Sequence, residues 1–111
     1  MGWRPFDNGV TIGQRGSEDG IILIDEEHEL GARITLEREC SNGVPFAVTC
    51  GIYGWFFHTR FVGSEAEADF AAMKDGLAAI LAAIPRVDDP AADAKCVAVS
   101  EFLQAFVSRF P

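Results

Sequence analysis

A chain of 111 residues, 49% apolar with nine Phe, two Trp and one Tyr, can fill one core but not two, which excludes global disorder and a multidomain layout. Seventeen acidic against nine basic side chains give a net charge of −8, and the arginines (Arg4, Arg15, Arg33, Arg38, Arg60, Arg86 and Arg109) are scattered, so no nucleic-acid partner is expected. The opening MGWRPFDNG lacks an apolar signal core, the longest uncharged window (41–57) is too short and interrupted for a bilayer, and three cysteines without an export signal fit a reducing cytoplasm. No membrane partner is expected.

In chain order, VTIGQ at 10–14 reads as a short strand, followed by the turn-rich RGSEDG. The segment GIILID from Gly20 is apolar on both faces, as a strand inside a sheet should be. After the connection DEEHELG, residues 32–40 alternate, with Ile34, Leu36 and Cys40 on one side and Arg33, Thr35, Glu37 and Glu39 on the other. Asn42-Gly43 is the strongest hairpin signal, because both residues tolerate positive φ. The apolar run 46–62 exceeds one strand and needs a break, bulge or bend at Gly51 or Gly54. Beyond Gly54, parity groups Trp55, Phe57, Thr59 and Phe61 on one face and Phe56, His58 and Arg60 on the other. Trp55, Phe57 and Phe61 are read as core.

Ser64 starts a helix with Glu67 completing a capping box, a stripe of Phe70, Met73, Leu77, Ile80, Leu81 and Ile84 follows, and Pro85 stops it. Asp89-Pro90 supplies the next helix start, and Val99, Phe102, Leu103, Phe106, Val107 and Phe110 give that helix its apolar face. Residues 1–111 therefore form one α+β domain. It is an antiparallel β-meander of four or five strands (strand-rich over 9–62) followed by two C-terminal helices (about 64–84 and 90–110) packed on one sheet face. The result is a two-layer sandwich whose other face is open.

Four features invite a chemical reading. In DEEHE (25–29), Glu26 and His28 share one face and Asp25, Glu27 and Glu29 the other, so Glu26 and His28 can feed one metal ion if His58 arrives from a neighbouring strand. The ordinary explanation is the soluble polar end of a strand. The spacing Gly13, Gly16, Gly20 opens a strand rather than a helix and carries Glu18 and Asp19, so it reads as turns rather than a phosphate loop. Cys50 with His58 forms no recognisable nucleophile, since nothing specifies an oxyanion hole or an orienting third group, and buried cysteine acting as a small hydrophobe explains it. Phe56 stands apart from the core aromatics. With His58, Arg60, Arg33, Thr35, Glu37 and Thr49 it makes a mixed-charge patch around an aromatic centre on the open face.

The sequence thus reads as a small acidic cytoplasmic protein-interaction module without enzymatic activity. It is inhibitor- or immunity-like in its charge, and binds a protein partner or a second copy through Phe56, His58, Arg60, Arg33, Thr35 and Glu37. The alternative is a metal or small-ligand site built from Glu26, His28 and His58. No motif assigns a catalytic residue, and no cofactor is implied.

Overall fold

Strict alternation of apolar and polar residues suits a sheet with only one face packed, and the computed structural model, which describes residues 2–111, is built on such a sheet. Five antiparallel strands lie side by side in chain order: β1 (Trp3–Pro5), β2 (Ile21–His28), β3 (Ala32–Arg38), β4 (Phe46–Ile52) and β5 (Phe56–Val62). Two helices follow, α1 (Ala66–Ala83) and α2 (Ala92–Arg109), and pack on one face of the sheet in the expected α+β arrangement.

The core sits between that face and α1. Ala32, Ile34 and Leu36 of β3 join Val48, Cys50 and Ile52 of β4 as its floor. Phe70, Met73, Leu77, Ile80 and Leu81 of α1 stand on them. The helix α2 packs against α1 and reaches β5 through Phe106, whose ring meets Phe56 edge-on with centroids 5.6 Å apart. Gly76 makes room for this approach, because a Cβ there would stand 3.0 Å from the Phe106 ring.

The connection between β4 and β5 decides which side chains enter this core. Tyr53, Gly54 and Trp55 form the turn, with Gly54 at φ +80°, so Ile52 pairs with Phe56, Cys50 with His58 and Val48 with Arg60. A three-residue turn keeps even positions opposite even positions. Because Val48, Cys50 and Ile52 face the helices, Phe56, His58, Arg60 and Val62 do too. This reverses the expected parity: Phe57 and Phe61 are not core but stand exposed on the opposite face.

Other local expectations also shift. Residues 10–14 form turns rather than a strand, with positive φ at Gly9 and Gly13 curling the chain, and the first strand is Trp3–Pro5, paired with the end of β2. The Ser64–Glu67 capping box does not form. Glu65 takes a left-handed φ of 55° immediately before α1, and no side chain caps the helix. The stop holds, since Ile84 is extended before Pro85, as a residue preceding proline prefers. Before α2, Asp89 Oδ1 accepts the Ala91 N–H at 2.8 Å. Asn42 and Gly43 do carry positive φ in the β3–β4 connection. No helix among the described residues is long and apolar enough to cross a membrane.

Met73 is wholly buried between α1 and the sheet. Met73→Ala should therefore lower the free energy of unfolding by about 2–5 kcal/mol, through lost transfer energy and a residual cavity, as read from urea denaturation.

Candidate functional site

The face turned away from the helices carries Asp25 and Glu27 of β2, Arg33, Thr35 and Glu37 of β3, Thr49 and Gly51 of β4, and Phe57, Thr59 and Phe61 of β5. It is open only in part. Residues 6–20 fold back over its β2–β3 half, and two buried carboxylates hold them there.

Asp25 lies in the middle of the first contact. Its side chain is fully buried and takes a two-pronged grip from Arg33, Nε to Oδ1 at 3.0 Å and Nη2 to Oδ2 at 2.7 Å. The Thr11 hydroxyl donates to Oδ2 at 2.7 Å, and the Phe6 ring covers the guanidinium with its centroid 3.5 Å from Cζ. Hydrogen bonding to Asp25 raises the Arg33 pKa further, against the opposing effect of burial. Planar guanidinium and carboxylate match in geometry, and the segment from Phe6 to Thr11 is fixed above them.

Glu37 makes the second contact and is 0% exposed. Its Oε1 accepts the backbone N–H groups of Glu18 at 3.2 Å and Gly20 at 3.1 Å, closing the turn that leads into β2. Its Oε2 is buried and has no hydrogen-bond partner among the described residues. Leaving such an acceptor unsatisfied costs about 1–3 kcal/mol. Two of the glycines noted in the sequence belong here. A Cβ on Gly16 would stand 2.4 Å from the Glu37 carboxyl carbon, and one on Gly20 would stand 2.6 Å from the Arg38 carbonyl oxygen. They are turn residues, and they are also the only residue type that fits against this strand.

Between the folded-back segment and the sheet lies a cavity of about 410 Å³, roofed by Thr11, Gln14, Gly16 and Ser17, floored by Thr35, Glu37, Thr49 and Gly51, with Phe57 at one side. Beyond it, β5 leaves Phe57 76% and Phe61 55% exposed on the bare half of the face. Phe57 leans over Gly51, where a Cβ would come within 2.5 Å of its ring.

The six residues expected to form one binding surface are thus divided between two faces. Arg33, Thr35 and Glu37 lie on the outer face beneath the folded-back segment, whereas Phe56, His58 and Arg60 lie on the helix side. There Phe56 packs on Phe106, His58 Nε2–H donates to the Phe110 carbonyl, and Arg60 Nε meets Asp69 at 3.4 Å. The outer-face residues that parity assigned to the core, Phe57 and Phe61, take their place. In the alternation of β3, Glu37 is marked only by its charge. The signal for its burial was the glycine pair upstream, which marks close backbone approach as well as turning.

DEEHE separates by parity as expected, but each member is used locally. Glu26 pairs with Lys74 of α1, Glu27 accepts from the Tyr53 hydroxyl at 2.9 Å, and His28 Nδ1 accepts the Leu30 N–H at 3.0 Å. Glu26 and His28 do share the helix side with His58. Two strands intervene between β2 and β5, however, and at about 4.8 Å per strand that is roughly 14 Å, too far for one ion to touch all three. Among the described residues, no group of three or more His, Cys, Asp or Glu is placed to hold a metal. The metal reading built on these three residues is therefore corrected.

Cys50 and His58 are direct cross-strand partners, yet burial pushes the Cys50 thiol up to about 12, which suppresses the nucleophilic thiolate. Cys40, Cys50 and Cys96 are all free. Comparison with protein-family models, with curated proteins and with solved structures gives no match.

Two outcomes follow from this chemistry. Asp25→Asn removes the buried charge opposite Arg33 and should cost about 3 kcal/mol of stability, with amide exchange accelerated across residues 10–20 and spared in α1. The Cys50 thiol, raised from 9.0 to about 12, keeps its proton in the folded state while the unfolded chain loses it. Its contribution is fully present below pH ~9 and declines by up to about 1.4 kcal/mol per pH unit toward pH ~12. Urea unfolding between pH ~8 and ~11 should show a steeper alkaline loss for wild type than for Cys50→Ala.

Proposed function

We propose that the chain is a protein-interaction module that docks a basic protein partner on the bare half of its outer sheet face, around Phe57 and Phe61. The observation that carries this is the pair itself. Two phenylalanines, 76% and 55% exposed, stand on one face of one strand with only Thr59 between them. Strand β5 is also an edge of the sheet, so its outer side is free of a neighbouring strand. Large aromatics held on a rigid strand present apolar area with little entropy to lose, the property of interface anchors. Gly51 supports the arrangement by letting the Phe57 ring lie across β4.

The net charge of −8 favours a basic partner over a second, equally acidic copy, because long-range attraction steers the first and repels the second. Three free cysteines, two of them buried, support a reducing compartment, which we take to be the cytoplasm. The docking face differs from the surface first read in the sequence. Phe56, His58 and Arg60 are engaged with α1, α2 and the segment that follows α2, and offer a partner little.

A Phe57→Ser/Phe61→Ser double variant should fold with stability within about 1 kcal/mol of wild type, since both side chains are already largely in water. It should lose basic proteins that the wild type captures from lysate, while sedimentation equilibrium shows both as monomers. Equal capture by both proteins would move the interface elsewhere. A wild-type dimer dissociated by the double substitution would replace the basic partner with a second copy of the chain.

A further inference from the structure

We propose that the cavity beneath residues 11–17 is a binding site for a primary alkylammonium group, with Glu37 Oε2 as its acceptor. This stands apart from docking on Phe57 and Phe61, and rests on the state of Glu37. One carboxylate oxygen is satisfied by two backbone donors and the other by none, in a side chain with 0% exposure at the cavity's floor. A buried carboxylate calls for a cation, and the cations nearby are committed. Arg33 is held two-pronged by Asp25, Arg15 pairs with Asp19 at 3.2 Å, and Arg38 turns to Glu39 at the surface. Among the described residues no side-chain cation pairs with Oε2, and we assign that place to a ligand.

The form of the free acceptor narrows the ligand. A single free oxygen suits a point-charge ammonium, whereas a guanidinium seeks both oxygens of a carboxylate in a fork. Metal coordination is disfavoured by the donor set, because Glu37 is the cavity's one acidic ligand. An anion would face Glu37, while the two arginines that also line the cavity, Arg33 and Arg15, are paired with Asp25 and Asp19. The hydroxyls of Thr35 and Thr49 offer further acceptors for ammonium N–H groups, and Ile22 and Phe57 supply apolar wall for an alkyl stem. A volume of about 410 Å³ falls within the range of small-ligand sites. Gly16 packs directly against the carboxyl, where a Cβ would stand 2.8 Å from Oε2, so only glycine leaves this acceptor unobstructed on that side.

The test is an NMR titration of the ¹⁵N-labelled chain with n-butylammonium chloride, with sodium chloride and n-butanol as controls for ionic strength and for shape without charge. A second arm uses a blocked Gly-Gly-Lys-Gly-Gly peptide. Saturable shifts of the Gly16, Glu18 and Gly20 amides with butylammonium, absent with both controls and weakened at least about tenfold in Glu37→Gln, support the proposal. Saturation by the peptide as well assigns the ammonium to a lysine side chain; saturation by butylammonium alone assigns it to a free amine. If Glu37→Gln does not fold, Thr49→Leu fills the cavity without touching the acceptor and should abolish the shifts. The proposal is overturned if neither probe saturates, if sodium chloride reproduces the shifts, or if they survive in folded Glu37→Gln or Thr49→Leu. The first of these results would assign Oε2 to water.

Discussion

Two carboxylates on the outer face of the sheet, Asp25 and Glu37, govern much of what this fold does beyond making a core. Neither can be buried without donors, and β3 supplies only Arg33. The remaining donors come from Thr11 and from the backbone at Glu18 and Gly20, so the segment before β2 must lie across the face. This constraint turns a plain two-layer sandwich into one with a partial third layer. It also creates the boundary between a roofed part, over β2, β3 and the cavity that reaches Thr49 and Gly51 of β4, and a bare part at β5.

The two sides of the sheet are thereby given different work. On the helix side the groups with chemical potential are spent on packing. Cys50 stays a protonated thiol in the core, His58 secures the Phe110 carbonyl, and Arg60 joins β5 to Asp69 of α1. On the outer side Phe57 and Phe61 stand in water, whereas Asp25 and Glu37 are buried beneath the folded-back segment. Site chemistry follows face, and face follows register.

Much of this layout was legible in the residues. The alternation of Ile34 and Leu36 against Arg33, Thr35 and Glu37 gave the register of β3, and Asn42-Gly43 marked the return to β4, because both signals are local and steric. The heptad-like stripe from Phe70 to Leu81 located α1 for the same reason. What local pattern did not carry was the length of the β4–β5 turn. Aromatic content made Phe57 and Phe61 resemble core, and only the pairing of Ile52 with Phe56 shows the opposite. The folded-back segment was equally hidden. Its turn residues were visible, but the partners that hold it, Asp25 and Glu37, lie further along the chain and act through tertiary contact.

That turn gives the chain an unusual sensitivity to length. Strand side chains alternate with a period of two, so one residue gained or lost between Ile52 and Phe56 would exchange the inward and outward sets of β5. Phe57, Thr59 and Phe61 would then press into the helix layer, and Phe56, His58 and Arg60 would emerge on the other side. Many single substitutions on β5 leave its outline intact, but an insertion at Gly54 rewrites the outer surface without altering one side chain. Descendants of this sequence that retain its surface are therefore expected to hold Tyr53–Trp55 at constant length, or to change it two residues at a time, while their composition there drifts.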